Sequence, residues 1–131
     1  AEPLGIVPRV RFLGWREDVA ALLAACDVFV CPSRHEPLGN VVIEAWSAGR
    51  PVVAARAAGP EALIRDGETG LLAPVNDAVA LARAVKRLLA EPALRARLAE
   101  QGCKAYAAQF TEAAVVAQYR AFFERVAAEV L

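Results

Sequence analysis

The sequence lacks an excess of charge of either sign. Its 131 residues include 15 Lys and Arg against 15 Asp and Glu, so the formal net charge at pH 7 is zero. Proteins that bind nucleic acid or an anionic membrane through their surface field normally carry a basic excess. We therefore expect no nucleic-acid partner, and other partners must be inferred from individual sites.

Long apolar runs are also missing. No stretch approaches the roughly 20 apolar residues that a membrane span requires. The first residues, AEPLGIVPRV, do not have the basic-then-apolar order of a signal peptide. The sequence thus predicts a soluble, cytoplasmic protein, and its length suits one domain, 1–131, with a sizeable core.

Cysteine pairs are absent too. Cys26, Cys31 and Cys103 are an odd set without Cys-x-x-Cys spacing, and two of them lie in apolar runs, so we expect buried, reduced thiols. Cys31 with His35 has the residue types of half a zinc site, or of a nucleophile and its base. However, there is no second ligand pair, and a thiol at the end of a strand is more often part of the core. We expect neither a metal nor a catalytic thiol.

What the sequence does contain is an alternation of short strand patterns and helix patterns. Helices are predicted at 17–25, from Asn40 to the terminator Gly49, and from Pro60 up to Gly67. Strands are predicted at 10–13, 28–31, 51–55 and 70–73. This alternation predicts a parallel sheet with helices on its faces. No Gly-x-Gly-x-x-Gly follows any of these strands, which excludes a Rossmann dehydrogenase.

The last part of the chain changes character to helices alone. Asn76 or Asp77 is predicted to cap a helix over 78–90, which Glu91-Pro92 ends, and a second helix follows to about Ala108. Thr111 is predicted to cap a third. Its apolar stripe indicates core or a docking face and not a cofactor site; the stripe consists of Val115, Tyr119, Phe122, Phe123, Val126 and Val130.

Two glutamates, Glu36 and Glu44, stand with seven residues between them at the junction of a strand and a helix. Glu36 lies in the loop SRHEPLG, and Glu44 lies one turn inside the helix for which Asn40 is the predicted N-cap. No cation lies three or four positions from Glu44 on that helix. Its ordinary explanation would be surface exposure or a hydrogen bond to Ser47.

The surroundings of the pair indicate a ligand. A loop that leaves a parallel strand and opens onto a helix N-terminus is where open α/β sheets bind anions, and Gly39 would let a phosphate or sugar approach the backbone closely. Carboxylates, by contrast, accept hydrogen bonds from hydroxyls. The combination predicts a ligand with both groups, such as a nucleotide sugar.

Two segments, CPSRHEPLGNVVIEAWSAGRPVVA and AGPEALIRDGETGLLAPVNDAVALARAVKRLL, resemble the C-terminal donor-binding domain of retaining GT-B glycosyltransferases of the group-one family, with its E-x7-E motif. The resemblance runs from about Val10 to the end. It implies half of a GT-B fold: a partial Rossmann-like parallel sheet with flanking helices and three C-terminal helices. It also implies a hexosyltransferase that moves a sugar, with retention, from a nucleotide-diphosphate sugar to an acceptor.

The resemblance implies residue roles as well. Glu36 would be the catalytic residue beside the donor sugar, and Glu44 would hold the ribose hydroxyls. Family members usually have Phe where Leu38 stands. The remaining nucleotide-sugar-binding residues would be Leu38, Gly39, Asn40 and Val41, through their backbone N–H groups, and Gly14 and Trp15 in the base pocket.

The resemblance further implies an incomplete site. The family's diphosphate-binding cations and its acceptor-binding domain precede the matched region, so we expect a truncated domain that is inactive alone and partners a missing N-terminal acceptor domain. The sequence has no Asp-x-Asp, so no metal cofactor is expected. The full-length protein would be cytoplasmic or peripheral at the inner membrane.

The alternative is a non-catalytic interaction module with a degenerate Rossmann-like fold, in which the carboxylates are structural. An intact E-x7-E disfavours this alternative. In either case the fragment is a candidate for self-association or for exchange of its last helix.

Overall fold

A parallel sheet forms the centre of the protein. The computed structural model describes residues 2–130, and side chains as far as residue 129. Within these residues three strands, β1 (Phe29–Cys31), β2 (Val52–Ala55) and β3 (Leu71–Ala73), pair in the order β1-β2-β3. All neighbours are parallel, with Val30 opposite Val53 and Val53 opposite Leu71. This confirms the predicted α/β class.

Helices cover both faces of the sheet. The described helices are α1 (Val19–Ala25), α2 (Asn40–Ser47), α3 (Ala58–Leu63), α4 (Ala78–Ala90), α5 (Pro92–Gln109) and α6 (Glu112–Val130). Two short 3-10 turns, Glu2–Leu4 and Val7–Arg9, precede them. No helix within residues 2–130 is both long enough and apolar enough to cross a bilayer.

The core has two parts because successive residues of β2 point to opposite faces of the sheet. Val52 and Ala54 pack with buried residues of α1 and α2, including Leu23 and Trp46. On the other face Val53 packs with α4 and α5; its partners there include Leu88, Leu94 and Leu98. Every residue of β2 is buried, as expected for a central strand with helices on both faces.

Trp46 anchors α2 through its buried side chain. Its side chain is 1% exposed, and its indole Nε1–H donates to the main-chain oxygen of Thr69 at 3.0 Å. Gly102 of α5 lies directly against the indole ring, so closely that a Cβ there would overlap it. Trp46 therefore ties α2 both to the loop before β3 and to α5.

The predicted strand at 10–13 is wrong. These residues are neither helical nor paired, and Phe12 is 90% exposed. A strand exists only where a neighbour accepts and donates its main-chain hydrogen bonds, and β1 pairs with β2 alone within the described residues. Residues 2–130 therefore offer no partner strand to the β-branched and aromatic pattern of this segment.

Two helix boundaries also differ from the prediction. α1 begins at Val19 and not at Glu17, because the Asp18 main-chain oxygen accepts the first hydrogen bonds of the helix. The Asp18 carboxylate accepts two hydrogen bonds from the Arg16 guanidinium, at 2.6 and 2.7 Å, and they lower the pKa of Asp18. α3 begins at Ala58, two residues before Pro60, and ends at Leu63 because the Thr69 hydroxyl accepts the Arg65 N–H at 2.9 Å.

The three C-terminal helices are confirmed, including two of their caps. Asp77 Oδ1 accepts the Ala80 N–H at 2.8 Å, and Thr111 Oγ1 accepts the Ala114 N–H at 3.2 Å. The stripe on α6 is not core, because its large side chains are exposed; they are Tyr119, Phe122, Phe123 and Val126. Val115 of the stripe is half-buried, and the Val130 side chain lies outside the described residues.

All three thiols are free, and they differ in exposure. Cys31 is buried, as predicted, and Cys26 is half-buried. Cys103 is exposed, which corrects the expectation that the thiols are buried, because it lies beside Lys104 on a solvent-exposed part of α5.

Candidate functional site

The site is built at the amino end of α2. β1 ends at Cys31, and residues 32–39 lead to the first residue of α2, Asn40. Asn40 was the predicted N-cap, but Gly39 occupies that position, with φ +75°. A left-handed φ favours glycine, since other side chains are strained there. The cap prediction was therefore wrong by one residue, while Gly49 ends the helix with a φ of +66°, as predicted.

Two oxygens of Glu36 accept main-chain hydrogen bonds. Its carboxylate Oε1 accepts the Gly39 N–H at 3.0 Å, and its main-chain oxygen accepts the N–H of Gly59, in α3, at 2.6 Å. The Glu36 carboxylate thus fixes the N-cap residue Gly39, while no side chain accepts an N–H of the first turn of α2. The first of these hydrogen bonds directs the Glu36 side chain back along its own loop toward α2, and the second holds the loop against α3.

The first turn of α2 presents N–H groups that lack an acceptor. Val42 N–H bonds to the Gly39 carbonyl at 2.9 Å, and the Gly39 N–H is taken by Glu36. Among the hydrogen bonds of residues 2–130, none uses the N–H of Asn40 or Val41. Such groups at the positive end of a helix attract anions. Leu38, just before them, is 68% exposed.

Glu44 lies on the edge of a groove between α1 and α2. The groove has a volume of about 420 Å³, and its walls are mostly apolar. The Glu44 carboxylate has no ion pair or hydrogen bond within the described part of the chain. Ser47 donates to the Glu44 main-chain oxygen at 2.7 Å, so Ser47 does not explain the carboxylate. The lining residues are Val19, Ala20, Leu23, Ala24, Glu44, Ser47 and Ala48.

Gly14 and Trp15 are not brought to this groove. Gly14 has φ +64° and open space around it, and Trp15 is 91% exposed. Both lie in the unpaired segment that was expected to end a strand. The structure therefore assembles Glu36, Leu38, Gly39, Asn40, Val41 and Glu44 around one helix end and leaves the two proposed base-pocket residues apart from them.

Sequence reasoning missed Gly59, which packs against the loop that carries Glu36. A signal was nevertheless available, because the loops that follow two neighbouring parallel strands emerge at the same edge of the sheet. A glycine a few residues after the second strand therefore marks a point where the first loop can approach closely.

A second depression, of about 390 Å³, lies at the carboxyl ends of the three described strands. Its polar side chains are Arg34, from the loop that precedes α2, and Asn76 and Asp77, at the amino end of α4. Arg56, at the same edge, is engaged with Glu61 at 3.6 Å and Asp66 at 3.1 Å. No three His, Cys, Asp or Glu side chains of the described residues stand close enough together to hold a metal ion.

Comparison with known proteins finds glycosyltransferases that are similar to this chain. The family description "Glycosyl transferases group 1" matches residues 1–91. LpsE of Rhizobium meliloti, a lipopolysaccharide core biosynthesis glycosyltransferase, is 48% identical over 119 residues, which cover 91% of this chain and 35% of LpsE.

Solved structures are similar over nearly the whole chain. HepE of Anabaena in complex with UDP has a TM-score of 0.87 and 32% identity, covering 97% of this chain and 34% of HepE. HepE has also been solved with UDP-glucose. Sucrose-phosphate synthase of Thermosynechococcus elongatus has a TM-score of 0.87 and 36% identity, covering 98% of this chain and 33% of the synthase.

The chain spans about a third of the length of these proteins. Its described sheet and helices match the C-terminal domains of GT-B glycosyltransferases. Because the family match covers residues 1–91, more than half of the chain, this protein belongs to the glycosyl transferases group 1 family.

Proposed function

We propose that this chain is the donor-binding part of a retaining glycosyltransferase, which transfers a sugar from a nucleotide-diphosphate sugar to an acceptor. The observation that carries the proposal is the amino end of α2, where the Glu36 carboxylate, the unbonded N–H groups of Asn40 and Val41, and the unpaired Glu44 lie together. Membership of the group 1 family supports it.

The spacing of these groups suits the parts of a nucleotide sugar. The free N–H groups would take the diphosphate. Glu44 follows Asn40 by four positions, so both lie on one side of α2, about 6 Å apart along its axis. That separation suits a ribose joined to the diphosphate, and the groove beyond Glu44 offers an apolar wall to the base. Glu36, on the loop before the helix, would then face the sugar.

The proposed transfer reaction requires positive charge that α2 does not supply. Negative charge develops on the leaving diphosphate in the transition state, and it requires cations as well as N–H dipoles nearby. α2 supplies the dipoles. We propose that the cations and the acceptor site belong to an N-terminal domain, so that the chain alone binds the donor weakly and transfers no sugar. We propose further that the donor binds without a metal ion, since the sequence has no Asp-x-Asp.

Calorimetric titration and kinetics of the full-length protein with UDP-, GDP- and ADP-sugars test the proposal. Glu44→Gln removes a charged acceptor of ribose hydroxyls and should weaken donor binding by about 10- to 100-fold, since hydrogen bonds to charged groups contribute about 1.5–3 kcal/mol. Glu36→Gln keeps an oxygen for the Gly39 N–H, so the loop is retained, but it should lower turnover by about 10²-fold or more.

Glu100→Gln is the matched control. Glu100 pairs with Lys104 on the surface of α5 at 2.6 Å, away from α2, so this variant should bind and turn over as the unmodified protein does. Absence of heat with every nucleotide sugar would show that the donor-site assignment is wrong. Unchanged kinetics in both Glu36→Gln and Glu44→Gln would remove the roles given to these residues.

A second candidate, a non-catalytic interaction module, rests on the exposed face of α6. Tyr119 stacks on Phe123 with centroids 6.4 Å apart, and Phe122 meets Phe123 edge-on at 5.5 Å. An exposed aromatic cluster is typical of an interaction surface. Light scattering of the chain decides whether this face joins copies of it: a strict monomer at all concentrations contradicts self-association and exchange of the last helix.

A further inference from the structure

The loop that precedes α2 and the first turn of α3 come into main-chain contact at Gly59. Its N–H donates to the Glu36 main-chain oxygen at 2.6 Å. A Cβ built on Gly59 would lie 2.7 Å from that oxygen and 2.6 Å from the Leu38 carbonyl carbon, and it would overlap the Gly39 nitrogen. All three contacts are with main-chain atoms, so no side-chain rotation relieves them.

Gly39 shows the same close fit from the opposite side. A Cβ there would lie 3.1 Å from the Gly59 carbonyl carbon, 3.3 Å from the Pro60 nitrogen and 2.7 Å from Cδ1 of Leu63. The amino ends of α2 and α3 therefore touch backbone to backbone, with a glycine on each. The conformation of Gly59 is helical and open to any residue, since it lies inside α3 and its φ is not positive. Only the lack of space requires a glycine at position 59.

We infer that Gly59 is a positioning residue for Glu36. The inference rests on the proposed function. Gly59 holds the main-chain oxygen of Glu36, and the Gly39 N–H holds its carboxylate at 3.0 Å. Moving either contact moves the carboxylate relative to the amino end of α2. Gly59 thus acts on the reaction through Glu36, whose main-chain oxygen takes its N–H.

Gly59→Ala tests this role, because helix propensity by itself favours alanine at this position and only the contact with the loop opposes it. The new methyl group must displace the 36–39 loop. A misplacement of about 1 Å near reacting groups lowers turnover on the order of 10²-fold. We expect that loss in kcat of the full-length protein. Glu44, one turn inside the helix that Trp46 anchors, keeps its place.

Double variants with Glu36→Gln and Glu44→Gln distinguish a positioning role of Gly59 from a general structural effect. In the Glu36→Gln background, Gly59→Ala should lower turnover by less than about threefold, because the group through which it acts is already altered. In the Glu44→Gln background its effect should be as large as in the unmodified protein. Gly102→Ala is the control for crowding: its methyl group overlaps Trp46, which ties α2 to α5, so it should lower the melting temperature, and any change that it makes in kcat should be equally large in the Glu36→Gln background.

Hydrogen exchange of the Gly39 amide in the 131-residue chain is the readout that needs no activity. Gly59→Ala and Glu36→Ala should each speed this exchange, and the double variant should exchange no faster than Glu36→Ala alone. Gly102→Ala should leave it unchanged relative to neighbouring amides. Faster exchange in Gly59→Ala supports the inference even if the unmodified full-length protein transfers no sugar. Absence of sugar transfer would refute the proposed function and leave the positioning of Glu36 by Gly59 intact.

Three results would overturn the inference. The first is a Gly39 amide in Gly59→Ala that exchanges as in the unmodified chain. The second is a kcat of Gly59→Ala within threefold of normal in an active full-length protein. The third is an equally large loss of turnover with and without the Glu36 carboxylate.

Discussion

Replacing Trp46 by phenylalanine should lower the free energy of unfolding by about 2–5 kcal/mol. Trp46 is 1% exposed, and its Nε1–H donates to the equally buried Thr69 at 3.0 Å. Losing this donor leaves a buried carbonyl without its partner, which costs about 1–3 kcal/mol. The smaller ring also leaves a gap beside Gly102, for which about 1–2 kcal/mol is reasonable. This sum is a large share of the free energy of unfolding of a typical domain, which is about 5–15 kcal/mol.

Trp15→Phe is the matched control, since it makes the same chemical change at a side chain that is 91% exposed. Urea unfolding followed by far-ultraviolet circular dichroism should place this variant within about 0.5 kcal/mol of the unmodified chain. Equal unfolding midpoints for the two variants would refute the reasoning.

A double-variant cycle sharpens this test. A Cβ on Gly102 would lie 2.5 Å from the Trp46 Nε1, an atom that phenylalanine lacks. Gly102→Ala should therefore destabilise the Trp46→Phe protein less than it destabilises the unmodified one. Strict additivity would mean that the two residues do not share the contact that the structure shows.

Two further predictions concern a cap and the thiols. Asp77→Ala removes the acceptor of the Ala80 N–H and should lower the free energy of unfolding, measured by thermal unfolding, by about 1 kcal/mol. Asp77→Asn should keep most of that stability, because its amide oxygen still accepts the N–H. Equal losses in the two variants would contradict a capping role. Alkylation followed by mass spectrometry should modify the exposed Cys103 first. Burial raises the pKa of the Cys26 thiol above its ordinary value of 9.0, so its labelling should accelerate only above that pH; labelling as fast as that of Cys103 at neutral pH would contradict the burial.

The strands that the sequence predicts correctly are those whose signal is local. The segments 51–55 and 70–73 are short apolar runs between turn residues, and β2 and β3 lie within them. A central strand with helices on both faces is apolar at every position, so its pattern needs no knowledge of its neighbours. The caps Asp77 and Thr111 were likewise predictable, because a cap bonds to an N–H three residues away.

The segment 10–13 shows where local signals fail. Like β1 it contains one valine and one phenylalanine, yet the described residues leave it unpaired. Strand formation depends on a partner that is distant in sequence. Gly14 and Trp15, whose predicted place depended on that strand, accordingly stand apart from the groove beside Glu44.

The sequence by itself determined the alternation of strands and helices, the parallel sheet and the placing of Glu36 and Glu44 around one helix end. These follow from side-chain periodicity and from spacings of a few residues. Only the tertiary structure decided that Gly39 and not Asn40 caps α2, that Glu36 bonds to Gly39, and that Gly59 presses against the Glu36 loop. The last contact joins residues more than 20 positions apart, and it arises because neighbouring parallel strands bring their following loops to one edge of the sheet.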